Sequence, residues 1–291
     1  LAGPAIFRIV SPPRLPGPLT EDVFRVYGFV FRISTNHPDA RRSFLELYER
    51  FLGTTADEAA VEAAIIVDSI GGFRWWLGET AGTTADLPGA LWSLEAALCQ
   101  AIIEFHRGYM AVHACTIYAS DLAILLVGRS GAGKTTLSLA LARRGLTVAT
   151  DDVALVEPET LNVLPIPRCF HLDSQSVALL EADGLQFPES WKRLSFMVPS
   201  ELGVHATTPC RASVLVFMSG PRAEQPRIAA ISQAEMVAHL LSETGQGPIE
   251  DLQIVRGLCR LAGGASCYSL IPGRLAPTAD ALVDLVLPQQ P

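Results

Sequence analysis

The feature that most constrains this chain is a glycine-rich loop between an apolar run and a segment with helical spacing. Residues 128–135 have the sequence Gly-Arg-Ser-Gly-Ala-Gly-Lys-Thr, which fits the pattern G-x-x-x-x-G-K-[ST]. Residues 122–127 are all apolar, as is typical of a strand covered on both faces, and a helical pattern covers 134–144. The order of strand, loop and helix predicts an α/β domain.

Each residue type in this loop has a physical reason to bind a triphosphate. Glycines let backbone N–H groups approach phosphate oxygens, and the helix start adds unpaired N–H groups and the positive end of its dipole. The Lys134 ammonium would lie near the β- and γ-phosphates, and the Thr135 hydroxyl would bind Mg²⁺. We therefore expect ATP with Mg²⁺ as the ligand. The expected binding residues are Gly128, Ser130, Gly131, Ala132, Gly133, Lys134, Thr135 and Thr136.

The loop predicts a ligand but not a reaction, because GTPases, transport ATPases and kinases share it. The sequence lacks the Asn-Lys-x-Asp of guanine recognition and the Leu-Ser-Gly-Gly-Gln of transporter ATPases. The later apolar segment 214–217 leads into Met-Ser-Gly, so the second metal-binding acid of motor-type ATPases is missing there. A glycine-rich turn with a chance lysine is the alternative interpretation of the loop.

An acidic pair follows the next predicted strand. Residues 146–150 lead into Asp151 and Asp152, which places both at the carboxyl end of a strand, where ligand sites of α/β proteins lie. One carboxylate can bind Mg²⁺, and the other can accept a proton from an attacking hydroxyl. The pair therefore suits phosphoryl transfer, with a surface turn as the alternative.

Two further side chains are candidates for the same site. His113 lies on the strand before the loop strand, and a hairpin between these strands would bring its imidazole to the phosphate end of the sheet. There it could orient one of the two carboxylates. Arg168 follows a rigid Pro-Ile-Pro segment, and its guanidinium suits phosphate oxygens or a developing charge on the γ-phosphoryl group. A structural histidine and a surface arginine are the alternatives.

These residues occur in an order that resembles the HPr kinase/phosphorylase family. The likeness is carried by His113-Ala114-Cys115, residues 125–137, Arg144-Gly145 and residues 150–152. It is closer to the diverged branch found in bacterial peptide-modification gene clusters, such as lasso-peptide precursor kinases. The Glu-Ile/Leu-Arg-Gly-Leu-Gly stretch of true HPr kinases is missing, which leaves open HPr itself as substrate and the reverse phosphorylase reaction.

The resemblance implies a fold, an activity and residue roles. The fold would be an HPr kinase/PEP carboxykinase-like P-loop domain, and the activity ATP-dependent phosphorylation of a serine on a peptide or small protein. Asp151 would be the general base, Asp152 a Mg²⁺ ligand beside Thr135, and His113 the partner of the acid/base carboxylate. Related kinases form oligomers, which leaves a homo-oligomer open. A non-catalytic ATP-binding regulatory module, and a small-molecule kinase or nucleotidyltransferase, are the alternative functions.

The chain changes character near residue 107. We expect an N-terminal α+β region over 1–107, which would hold a substrate or a partner, and an HPr-kinase-like P-loop catalytic domain over 108–291. Strands are expected at 23–33 (one strand, or two with a bend), 73–76, 110–118, 122–127, 146–150, 154–156 and 213–217. Helices are expected at 39–52, 87–107, 134–144, 174–181, 233–242 and 277–286. Residues 58–69 fit both types, and 183–209 is loop-rich.

Composition excludes several classes of partner. The formal net charge of -8 and pI of about 5.3 argue against nucleic acid and anionic membranes as partners. None of the six cysteines forms a Cys-x-x-Cys pair, so we expect reduced, buried thiols in a cytoplasmic protein. The Pro-rich first residues do not resemble a signal peptide, and the apolar helical segment 91–105 is too short and too charged to span a bilayer.

Overall fold

The chain is a mixed α/β protein. The computed structural model describes residues 19–53, 61–67, 71–187, 208–220, 223–243 and 252–287. They divide into two compact units, with the division between Arg107 and Gly108. Among these described residues, no helix combines the length and apolarity needed to cross a membrane.

The first unit consists of a five-stranded sheet with two helices. Its strands, in spatial as well as chain order, are β1 (Thr20–Val26), β2 (Phe29–Thr35), β3 (Val61–Val67), β4 (Phe73–Leu77) and β5 (Thr80–Thr84). The helices are α1 (Pro38–Tyr48), followed by a short 3-10 turn, and α2 (Leu87–Phe105). All neighbouring strands are antiparallel except β2 and β3, which are parallel. The aromatic side chains of Phe24, Phe31 and Tyr48 contact one another in its core.

The second unit contains the glycine-rich loop. Its strands are β6 (Met110–Val112), β7 (Ala114–Ala119), β8 (Leu122–Val127), β9 (Thr147–Thr150), β10 (Ala154–Val156), β11 (Asn162–Leu164), β12 (Cys210–Met218), β13 (Arg227–Ala230) and β14 (Ser266–Ile271). Its helices are α3 (Lys134–Ala142), α4 (Ser174–Ala182), α5 (Gln233–Glu243), α6 (Leu252–Gly263) and α7 (Leu275–Val286).

Strand β8 lies in the middle of this sheet and is covered on both faces. It pairs in parallel with β12, which in turn pairs in parallel with β14, and it forms an antiparallel hairpin with β7. Alternate residues of β8, namely Ala123, Leu125 and Val127, share one apolar cluster with buried residues of α5 and α6. The intervening residues Ile124 and Leu126 are also buried and point to the opposite face. The predicted strand 122–127 is therefore confirmed.

Other expectations for single elements are mostly confirmed, with shifts at the ends. The segment 23–33 forms two strands, and the described part of 58–69 is a strand rather than a helix. The expected strand 110–118 is interrupted at His113, which separates β6 from β7. Sequence patterns missed five elements that the structure contains: β5, β11, β13, α6 and β14. Most of the loop expected at 183–209 lies outside the described residues.

Gly257 is the contact point between α6 and β6, the strand that leads to His113. A Cβ atom at this position would collide with the buried Met110 side chain. We expect Gly257→Ala to destabilise the fold by about 1–3 kcal/mol, because the core is overpacked. The control is Gly263→Ala at the end of the same helix, where the nearest atom is 3.8 Å away. That variant should gain up to about 1 kcal/mol from helix propensity. Equal shifts of both variants in thermal denaturation would contradict this packing argument.

Candidate functional site

The glycine-rich loop lies between the end of β8 and the start of α3. Gly131 and Gly133 have φ values of 77° and 92°, in the left-handed region that favours glycine. A Cβ atom on Gly128 would lie only 3.1 Å from the Met218 carbonyl oxygen, so the loop passes close to the end of β12. Gly133 is the N-cap of α3 and has no side chain to accept from the first N–H groups of the helix. The loop therefore presents a helix start suited to an anion.

Lys134 is a buried cation held by neutral oxygens. It is 6% exposed, and its Nζ donates to the carbonyl oxygens of Gly128 at 2.6 Å and Arg129 at 3.2 Å. A third neighbour is Nε2 of His113 at 3.1 Å. Within the described residues Lys134 forms no ion pair with a carboxylate. A buried ammonium of this kind is well placed to bind an anionic group that enters the loop.

The other loop residues differ in what their side chains contact. Ser130 and Gly131 are exposed at the tip of the loop, and Ala132 donates its backbone N–H to the Arg129 carbonyl at 3.1 Å. Thr136 is buried, and its hydroxyl donates to Ser176 Oγ on α4 at 3.0 Å. The Thr136 side chain is therefore engaged with α4, and a role in anion binding would fall to its backbone N–H.

Asp151 and Thr135 form a pair of oxygen ligands beside the loop. The Thr135 hydroxyl lies 2.9 and 3.1 Å from the two carboxylate oxygens of Asp151. The Cys115 thiol donates to the same carboxylate at 2.6 Å. Asp151 is buried, and this burial raises its pKa although both donors lower it. Burial and the neighbouring carboxylate of Asp151 also raise the pKa of the Cys115 thiol, so Cys115 acts here as a donor.

Asp152 lies in a different environment from its neighbour in the chain. Its backbone φ is 70°, a left-handed conformation that Asp tolerates better than most residues, and its side chain is half exposed. Its two carboxylate oxygens lie 2.9 Å from His113 Nε2 and 3.1 Å from Arg168. The hydrogen bond from His113, together with the positive charges of Arg168 and Lys134, lowers the pKa of Asp152 to about 2. Asp152 is therefore ionised at neutral pH.

The β7–β8 hairpin brings His113 to this cluster. Ala114 pairs with Val127, so His113 lies beside the first residue of the loop. The structure thus brings together the sequence-predicted residues Lys134, Thr135, Asp151, Asp152, His113 and Arg168. Their chemical roles stay predictions.

Glu243, at the end of α5, is a member of this cluster that the sequence did not indicate. It is 8% exposed, and one carboxylate oxygen lies 3.5 Å from His113 Nδ1. The backbone carbonyl of Glu243 also accepts from the His113 N–H at 3.0 Å. No local motif surrounds this residue, and the signal that could have identified it is an acid at the end of an amphipathic helix.

The Thr135–Asp151 pair has the chemistry that Mg²⁺ requires. Both side chains offer oxygen ligands, and within the described residues the buried Asp151 carboxylate forms no ion pair, so a cation would balance its charge. The described residues contain no cluster of three or more His, Cys, Asp or Glu that could hold a metal ion. Thr135 and Asp151 would therefore fill only part of the coordination shell of a divalent cation.

Comparison with known proteins adds little to this geometry. No protein family and no curated protein matches the chain. Among solved structures it is similar to the HPr(Ser) kinase/phosphatase from Coxiella burnetii, with 14% sequence identity and a TM-score of 0.26. The match covers 61% of this chain and 93% of that one. A TM-score this low carries no argument about fold or function.

The burial of Asp151 has a measurable consequence for stability. We expect Asp151→Asn to raise the melting temperature of the protein without nucleotide or metal, because it removes a charge that burial makes unfavourable. The native state holds a proton on Asp151 more tightly than the unfolded state does. The increase in melting temperature should therefore be full at neutral pH and shrink as the pH falls through the raised pKa of Asp151.

The matched control is Asp152→Asn, with thermal denaturation in a chelator as the measurement. The pKa of Asp152 is lowered, so its ionised form stabilises the native state above the unfolded-state pKa, and this contribution is lost as the pH falls towards 2. Asp152→Asn should therefore lower the melting temperature at neutral pH. If Asp151→Asn lowered the melting temperature as much as Asp152→Asn does, the idea that burial of the Asp151 charge is unfavourable would be contradicted.

Proposed function

We propose that this chain is an ATP-dependent kinase that transfers the γ-phosphoryl group to a serine hydroxyl of a peptide or small protein. The observation that carries the proposal is the juxtaposition of three different groups at one loop. These are a buried lysine that forms no ion pair with an acid in the described part of the chain, a hydroxyl–carboxylate pair, and a second, accessible carboxylate held by a histidine and an arginine. Together they match the needs of phosphoryl transfer.

The first two groups suit the triphosphate. The N–H groups of the loop and the Lys134 ammonium would bind phosphate oxygens, with Lys134 exchanging its carbonyl partners for them. Thr135 and Asp151 are the residues that would hold Mg²⁺. A metal ion held by these residues would supply positive charge that offsets the charge of the phosphates.

The contacts favour the reverse of the roles that the resemblance implies for the two aspartates. Asp151 is buried against the Thr135 hydroxyl beside the loop, a position that suits a metal ligand better than a contact with the hydroxyl of a substrate. Asp152 is half exposed and beside His113. We therefore assign metal binding to Asp151 and the base to Asp152, with His113 as the partner of Asp152.

The proposed reaction uses Asp152 mainly to orient the nucleophile. The serine oxygen attacks the γ-phosphorus, the bond to the bridging oxygen of ADP breaks, and ADP leaves with that electron pair. The serine proton passes to the Asp152 carboxylate. A carboxylate with a pKa of about 2 is a weak base, which suffices in a loose transition state where positioning and charge stabilisation dominate. Arg168 fixes the second oxygen of Asp152 and offers positive charge to the departing phosphoryl group.

Serine as the acceptor, and a peptide or small protein as its carrier, rest on the resemblance of residues 113–152. The first unit, up to residue 107, is proposed to hold that substrate. Two other functions share the same nucleotide site: a regulatory module that binds ATP without catalysis, and a small-molecule kinase or nucleotidyltransferase. The accessible Asp152 favours transfer to a hydroxyl over the regulatory module.

Incubation with ATP labelled either at the γ- or at the α-phosphate separates these functions. With serine-containing peptides as acceptors, the proposal expects label from the γ-phosphate alone, recovered as phosphoserine. Label from the α-phosphate would indicate nucleotidyl transfer. ATP binding without any transfer to peptides, small proteins or small molecules would favour the regulatory module.

Variants of the site should separate binding from chemistry. Asp152→Asn is expected to lower kcat by about 10²-fold or more, because the carboxylate that orients the serine and takes its proton is lost, while the Kd for ATP stays unchanged. Lys134→Met is expected to weaken ATP binding by about 30-fold or more, because a buried charged contact is lost. Kd is measured with a fluorescent ATP analogue. Full activity of Asp152→Asn would exclude Asp152 as the base.

A further inference from the structure

We propose that Glu243 is a positioning residue for the phosphotransfer reaction. It holds the His113 ring so that Nε2 faces Asp152. The inference rests on the proposed function and extends it by one residue. Three side chains then form a chain of contacts from the end of α5 to the acid after β9: Glu243, His113 and Asp152.

The backbone is the first observation that supports this role. His113 separates β6 from β7, so its backbone N–H has no partner within those strands. It donates instead to the carbonyl oxygen of Glu243 at 3.0 Å. The last residue of α5 and the break in the sheet are therefore joined directly, and the Cα atoms of Glu243 and His113 are held in a fixed relation.

The side chains are the second observation. Glu243 is 8% exposed, and a buried carboxylate requires a hydrogen-bonding or cationic partner. Within the described residues, its ion-pair partner is His113 Nδ1 at 3.5 Å. The other ring nitrogen, Nε2, lies 2.9 Å from Asp152. The two ring nitrogens therefore face two different carboxylates, Nε2 at hydrogen-bonding distance and Nδ1 at ion-pair distance.

This arrangement also accounts for the surroundings of Lys134. When Nε2 donates to Asp152, it cannot accept from the nearby Lys134 ammonium. Lys134 then directs its hydrogens to the carbonyls of Gly128 and Arg129, as observed. The contact between Lys134 and His113 then brings two donors together, which is unfavourable. An incoming triphosphate would remove this unfavourable contact, because its oxygens attract the Lys134 ammonium.

Loss of Glu243 would free the ring rather than remove a group that touches substrate. Without the negative charge of Glu243 beside Nδ1, the His113 ring is held less firmly, and its contact with one Asp152 oxygen is weakened. The serine hydroxyl would then be misoriented relative to the γ-phosphorus. ATP binding should persist, because Glu243 lies beyond His113 and does not contact the loop through any bond that the structure describes.

Kinetics of Glu243→Gln provide the first test, with Glu235→Gln as control. Glu235 is exposed in the first turn of the same helix, so the control makes the same chemical change away from the cluster. We expect Glu243→Gln to lower kcat by about 10-fold or more, within the range known for residues of one hydrogen-bond network, with unchanged ATP Kd and melting temperature. Glu243→Asp, which keeps the charge, should recover part of the rate. Equal rates for the two Gln variants would overturn the proposal.

A double-mutant cycle distinguishes action through His113 from an independent effect. If Glu243 acts through the ring, His113→Asn combined with Glu243→Gln should be no slower than His113→Asn alone. Multiplicative losses would overturn the proposal.

A spectroscopic measurement decides the matter even if the unaltered protein shows no phosphotransfer. In nitrogen-15 NMR spectra of the histidine rings, assigned with His113→Asn, Nδ1 of His113 should carry hydrogen, and Glu243→Ala should change its signal. A His113 Nδ1 without hydrogen in the unaltered protein would overturn the role of Glu243. Failure of phosphotransfer together with the expected spectrum would overturn the proposed function and leave the contact intact.

Discussion

The candidate site depends on the antiparallel pairing of β7 with β8. This hairpin sets Ala114 opposite Val127, so the residue before β7 and the residue after β8 are neighbours at one end of the sheet. His113 therefore lies beside the glycine-rich loop, although it is not part of the local strand–loop–helix pattern that forms the loop. Strand β9 pairs with the outer side of β7 and delivers Asp151 to the same end. A shift of one residue in the β7 register would turn Cys115 away from Asp151.

Sequence patterns could predict the parts of this site that are local. A continuous apolar run, three glycines and a following helix specify the loop, because each feature acts within a few residues. The expected position of His113 beside one of the two aspartates required the hairpin as an assumption, which the strand pairing supports. Glu243 could not be found, because only the packing of α5 on the sheet brings it near His113. Short strands such as β11 and β13 were missed because three or four residues carry too little periodicity.

The two adjacent aspartates illustrate a limit of sequence reasoning more sharply. Their order in the chain says nothing about which is buried, because burial depends on the strands and loops packed around each side chain. Asp151 follows β9 and packs against Thr135 and Cys115, while Asp152, at a φ of 70°, stays half exposed. Burial then raises one pKa, and neighbouring donors lower the other. Asp151 and Asp152 therefore differ in exposure and in pKa, although their side chains are chemically identical.

Under the proposed function, the charges of the site suit transfer to a hydroxyl better than hydrolysis of ATP alone. A water molecule needs little space and can be oriented by a buried acid, whereas a serine on a peptide can approach only a carboxylate at the surface. The buried acid here contacts the Thr135 hydroxyl, and the surface acid is held by two donors, His113 and Arg168. Both donors engage Asp152 and leave lone pairs of its carboxylate for a further hydrogen bond from a nucleophile. In the proposed reaction, the acceptor would therefore approach from the exposed side of Asp152.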